Sequence, residues 1–136
     1  YGTAPSNLKF ALYVLTDRNH KKVKNIEINN SVSFVIPFPH HILRFVPGSC
    51  VQFQGIAKIV PFSDNKAQDS FRNGPKILKM NLKQASKISN IEERVVFIKI
   101  IPNKKLFCYG LGFNLMKLRK NVESGVYFVN IPDERL

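Results

Sequence analysis

Leu8 to Thr16 is apolar on both faces of an extended chain, with Phe10, Leu12 and Val14 on one side and Ala11, Tyr13 and Leu15 on the other. Such a strand belongs inside a barrel or against a second subunit. The period then changes. Val23 and Ile26 share one face of a helix and Asn19 is a good N-cap, so a helix should open near His20 and run to about Asn29. Ser31 to Pro37 reads as a strand closed by proline, and Phe38-Pro39-His40-His41 as a loop at its mouth. Cys50 to Val60 is a long strand. It places Val51, Phe53, Gly55, Ala57 and Ile59 on one face and Gln52, Gln54 and Lys58 on the other.

Ser63-Asp64 can cap a helix through about Phe71, and a second helix covers Pro75 to Ser86 around Ile77, Leu78, Met80 and Leu82. Arg94 to Ile101 is a strongly apolar strand, Pro102-Asn103-Lys104 a turn, and Lys105 to Tyr109 its hairpin partner. Leu115 to Asn121 is expected to form a helical turn carrying Lys117, Arg119 and Lys120, and Val126 to Ile131 a last strand. Gly110-Leu111-Gly112 lacks the strand and helix that flank a dinucleotide-binding loop. Strands interrupted by helices predict a mainly β, α+β fold, an antiparallel barrel with attached helices, over one domain spanning residues 1–136. The chain opens on strand-like sequence, so a further helix or strand is expected before Tyr1.

Charge changes the picture next. Lysine and arginine number 21 against 9 acidic residues, for a formal net charge of +12. That balance attracts anions. The charges are scattered along the sequence and accompany no aromatic RNP strand or zinc-finger spacing, so a nucleic-acid-binding module is the weaker alternative. No apolar run reaches the roughly 18 residues of a membrane span, and a soluble, cytoplasmic protein is expected. The two cysteines, Cys50 and Cys108, have no metal-ligand spacing and are expected to be reduced. No nucleophile context for a serine or cysteine hydrolase is present.

The candidate chemistry gathers at the first strand-to-helix turn. Lysines at a helix N-terminus oppose its dipole by roughly 0.3–1 kcal/mol each, while the free N–H groups there favour an anion. Lys21 and Lys22 are therefore poorly placed for stability and well placed for a bound phosphate. Gln52 and Gln54 offer donors and acceptors to the edge of a heterocycle, and Gly55 permits a close approach. His40 and His41 are the acid–base candidates at the loop, and Cys108 reads as core.

Three stretches in this order resemble the pyridoxamine 5′-phosphate oxidase-like, FMN-binding split-barrel family. They are Leu15-Thr16 with His20-Lys21-Lys22, then Asn25-Ile26-Glu27 through Val32 to Phe38, then Val51-Gln52-Phe53-Gln54-Gly55. The resemblance implies an antiparallel split β-barrel and a homodimer holding FMN in a cleft between subunits, with hydride or electrons passing to a small-molecule substrate. Carried over by position, Thr16, His20, Lys21 and Lys22 would hold the FMN phosphate, and Pro37 and Gln52 would line the ring. His20 stands where many members have serine, and Cys50 where the oxidases have a flavin-contacting glutamine. The sequence has no tryptophan and no match to the C-terminal substrate motif, so oxidation of vitamin B6 phosphates is not expected. A deazaflavin, a haem or no cofactor in the same fold are the alternatives.

Overall fold

The computed structural model describes residues 1–5, 8–38, 48–112 and 120–136. In chain order the elements are β1 (Gly2–Thr3), β2 (Leu12–Asp17), α1 (Lys21–Ile28), β3 (Ser31–Phe38), β4 (Ser49–Pro61), α2 (Asn65–Arg72), α3 (Lys76–Ala85), α4 (Ile91–Arg94), β5 (Val95–Pro102), β6 (Lys105–Tyr109) and β7 (Val126–Asn130). Short 3-10 turns cover Val122–Gly125 and Asp133–Arg135. All strand pairs are antiparallel and form one sheet in the order β1-β2-β5-β4-β6-β7, with β3 added to β4. His40, His41 and the expected helical turn's Lys117 and Arg119 lie outside the described residues.

The expected hairpin between β5 and β6 does not form. β5 pairs with Gly55–Pro61 and β6 with Cys50–Gln52, so both lie along β4, on the edge opposite β3. They behave as one long strand interrupted by a bulge. From Pro102 to Phe107 is five steps, whereas their partners Gly55 and Gln52 are three apart. The two extra residues are absorbed at Asn103-Lys104, where the Asn103 N–H still donates to the Gln54 carbonyl at 2.8 Å. Gly55 makes this crowding possible, because a Cβ there would sit 2.3 Å from the Ile101 carbonyl oxygen and 2.8 Å from Pro102 Cα. The residues expected to turn the chain back instead kink it and let it continue.

Strict alternation sorts the side chains into two cores. Leu12, Phe53, Ala57, Val96, Ile98 and Ile100 face inward, joined by Phe34 of β3 and Leu106 of β6, and Val23 of α1 closes one end. At the other edge Tyr1 meets Phe34 edge-on at 5.7 Å, so the curl brings β1 toward β3. The opposite face carries Ala11, Tyr13, Val95 and Phe97 against α2 and α3, which supply Ala67, Phe71, Leu78, Leu82 and Ala85. Phe97 is fully buried, stacked on Phe62 at 5.7 Å and edge-on to Phe71 at 5.3 Å. β2 is apolar on both faces because it sits between these cores. The result is an antiparallel α+β half-barrel.

Helix limits follow local chemistry. Asp64 caps α2 by accepting the Ala67 N–H at 2.8 Å, as its position predicts. For α1 the expected cap moves by one residue, from Asn19 to His20. The Asp17 carboxylate takes the Asn19 N–H at 2.8 Å and folds residues 17–19 into an Asx turn, which leaves Asn19 outside the helix. α4 has no counterpart among the expected elements. It starts from Asn90 in the left-handed conformation (φ 54°) and occupies the residues just before β5.

Candidate functional site

Thr16 is the last inward-facing residue of β2, 7% exposed and paired with Val96. Its Oγ1 lies 2.9 Å from His20 Nδ1, four residues on, which ties the end of the strand to the start of α1. His20 therefore supplies no side-chain cap to the helix. The first turn of α1 contains no acidic residue, and Lys21 and Lys22 are both exposed. The Val23 N–H returns to the His20 carbonyl at 2.9 Å, and no acceptor among the described residues meets the N–H groups of Lys21 or Lys22. Two free N–H groups and the positive end of the helix dipole thus lie beside a buried hydroxyl, with the exposed Lys21 and Lys22 in the same first turn. This arrangement fits a phosphate. In the His20 tautomer with hydrogen on Nδ1, Thr16 Oγ1 accepts from the ring and keeps its own hydrogen to donate to an anion.

Val23 fixes the turn. It is 1% exposed and packs into the inner core beside Phe53 and Ala57, so α1 is held at its first turn by burial rather than by a cap. Asp17 is the one carboxylate in the turn itself, and the Asn19 N–H occupies its Oδ1.

Thr16, His20, Lys21 and Lys22 are brought together. Pro37 and Gln52 are brought together elsewhere. Pro37 pairs with Cys50 and Gln52 with Val35, which makes them diagonal neighbours on the outward face of β3 and β4. Register measures the gap: Thr16 aligns through Val96 with Pro61, and Pro61 is nine residues along β4 from Gln52, about 30 Å of extended strand. Cys50 and Cys108 are free, on neighbouring strands whose alternation sends their side chains to opposite faces.

Around Gln52 the structure shows residues that the sequence did not single out. Gln52, Gln54, Asn103, Lys105, Phe107 and Phe128 line an outward cavity of about 370 Å³. Phe107 and Phe128 meet edge-on at 5.7 Å, and Lys105 Nζ lies 4.0 Å from the Phe128 ring centroid. Phe128 remains 56% exposed. Period two was the available signal, since Lys105 and Phe107 share a face and a lysine marks that face as outward. The same face exposes Val35 and Ile56. Among the described residues no group of three metal-ligating side chains forms, and no helix is long and apolar enough to cross a membrane.

No protein-family model and no curated protein matches the sequence. Solved structures with similar folds do. HutZ, the haem storage protein from Vibrio cholerae, superposes with a TM-score of 0.56 at 14% identity, over 77% of this chain and 70% of its own. A pyridoxamine 5′-phosphate oxidase-related, FMN-binding protein from Nostoc punctiforme PCC 73102 gives a TM-score of 0.52 at 12% identity, over 94% of this chain and 69% of its own. At such identities the likeness is one of fold. The chain has the antiparallel split-barrel fold of pyridoxamine 5′-phosphate oxidase-like proteins, as the sequence resemblance implies.

Proposed function

We propose that the chain is one subunit of a homodimeric flavoprotein that seats the phosphate of FMN on the first turn of α1 and passes hydride or electrons to a small substrate. The observation that carries this reading is the uncapped, acid-free helix start of Lys21 and Lys22, tied to Thr16 by the 2.9 Å His20 contact. Lys21 and Lys22 would hold the phosphate by charge-assisted hydrogen bonds, with the Thr16 hydroxyl adding one. Bound flavin supplies the redox chemistry, and the protein's part is to place the ring and exclude water. A second copy supports the ring side of the site. Pro37 and Gln52 face away from the inward side of the sheet that carries Thr16, and they belong to an outward face that exposes Val35 and Phe128. A two-fold partner covering that face would bring its Gln52 and Pro37 toward this chain's turn.

The test is spectroscopic. The purified protein is expected to be yellow or to take up added FMN, with protein-dependent quenching of flavin fluorescence. Lys21→Ala/Lys22→Ala should abolish uptake while leaving the melting temperature of the ligand-free protein within a few degrees. At about 100 times its dissociation constant FMN should stabilise the parent chain by about 2.7 kcal/mol. A colourless protein that ignores FMN defeats the proposal. Haem is the second reading, supported by the likeness in fold to HutZ. A Soret band on haem titration, without flavin uptake, would select it.

A further inference from the structure

One group of cations is concentrated on α3, which packs on the outer face of the sheet, whereas Thr16 faces the inner one. Between Asp69 and Glu92 lie Arg72, Lys76, Lys79, Lys83 and Lys87, with no carboxylate among them. On α3, Lys76, Lys79 and Lys83 fall within an arc of about 60°, and Lys87 follows in the turn just past the end of the helix at Ala85. All four lysines are exposed. None is neutralised: the ion pairs among the described residues are Arg72–Asp69 and Lys104–Asp133. The row borders a cleft of about 420 Å³ between α2 and α3, floored by Phe62 and Leu82 and rimmed by Arg72, Lys79, Lys83 and Ser86. Gln68 accepts a hydrogen bond from the Arg72 guanidinium and holds that group at the rim.

We propose that this α2–α3 face is a second binding site, independent of any flavin, for the phosphodiester backbone of nucleic acid. Charge complementarity selects a polyanion. A lipid surface fits less well, because a helix lying on a membrane buries its apolar face in the acyl region. Leu78, Leu82 and Ala85 of α3 are already packed into the outer core, which leaves Ile77 and Met80 exposed, two side chains against a row of four lysines. Phe62, the aromatic ring in the cleft, is 6% exposed and offers no stacking platform. Recognition is therefore of phosphates and indifferent to sequence.

Fluorescence anisotropy of a short labelled DNA duplex, titrated with the full chain over a range of KCl, tests this. Four phosphate contacts give a slope of log K against log salt of about −3.6, or roughly a 150-fold loss over a fourfold rise in salt. Lys76→Gln/Lys79→Gln/Lys83→Gln/Lys87→Gln should flatten that slope and lose most of the affinity, whereas the same four changed to Arg should retain both. Lys9→Gln/Lys24→Gln/Lys58→Gln/Lys120→Gln removes equal charge elsewhere and should leave most of the slope. Should the glutamine quadruple variant unfold, Lys79→Gln/Lys83→Gln alone is expected to reduce the slope by about half. The inference is overturned if the duplex is not bound, if the two charge-matched glutamine variants lose affinity equally, or if anionic phospholipid vesicles capture the chain and DNA does not.

Discussion

Replacing Gly55 by alanine is the sharpest probe of how the split in this barrel is built. The added Cβ would stand 2.3 Å from the Ile101 carbonyl oxygen and 2.8 Å from Pro102 Cα, so relief requires β4 and β5 to part by about 1 Å. β5 cannot retreat freely, because its other edge is paired with β2 from Val95 to Ile100. Overpacking at such a site destabilises by about 1–3 kcal/mol, and a weakened ladder bond adds about 1 kcal/mol. The reduced entropy of the unfolded chain offsets about 0.4–1 kcal/mol. The net loss is about 1–3.5 kcal/mol, or roughly 4–12 °C in melting temperature for a domain of this size. Circular dichroism melts, with urea midpoints at unchanged m, read it directly. A variant that melts at or above the parent temperature would show that the Ile101–Pro102 backbone yields easily, and that the bulge does not depend on a glycine opposite it.

Two further outcomes follow from the site and from the outer core. Thr16→Val keeps the shape of a residue that is 7% exposed and removes its contact with His20, so FMN affinity in a fluorescence titration should fall about tenfold while stability changes by no more than about 1.5 kcal/mol. Unchanged affinity would remove the hydroxyl from the site. Burial first, and the Asp64 carboxylate second, raise the Tyr13 phenol above its ordinary value of 10.0. A raised folded-state value means that its contribution is whole below about pH 10 and is lost as pH climbs through the folded value. Urea midpoints should accordingly decline less steeply above about pH 10 in Tyr13→Phe than in the parent, and parallel declines would contradict the assignment.

The parts of this architecture that could be read beforehand are those in which one residue's chemistry decides its own neighbourhood. Asp64 capped its helix, and Leu8 to Thr16 announced a strand with two buried faces, which the structure confines to Leu12–Asp17. Most errors came where a distant strand decided. Pro102-Asn103-Lys104 carries turn residues, yet pairing with β4 on both sides turns it into a bulge. Gly55 does admit a close approach, but what comes near is the chain's own β5. Asn19 is a good cap on its own merits, and lost the place because the Asp17 side chain had already bonded its N–H. That Pro37 and Gln52 face outward while Thr16 faces inward depends on which side of the sheet the fold encloses, which no local pattern encodes.

The C-terminal end of the described fold has a bearing on how the molecule is made. Arg135 donates from its guanidinium to the carbonyls of Leu8 at 3.1 Å and Pro5 at 3.3 Å, while its own carbonyl receives the Phe10 N–H at 2.7 Å. These clasps bridge more than 120 positions of sequence. During synthesis the segment around Leu8 leaves the ribosome more than 120 residues ahead of its anchor. That segment must therefore wait, unfastened and displaying Phe10, until Arg135 has emerged.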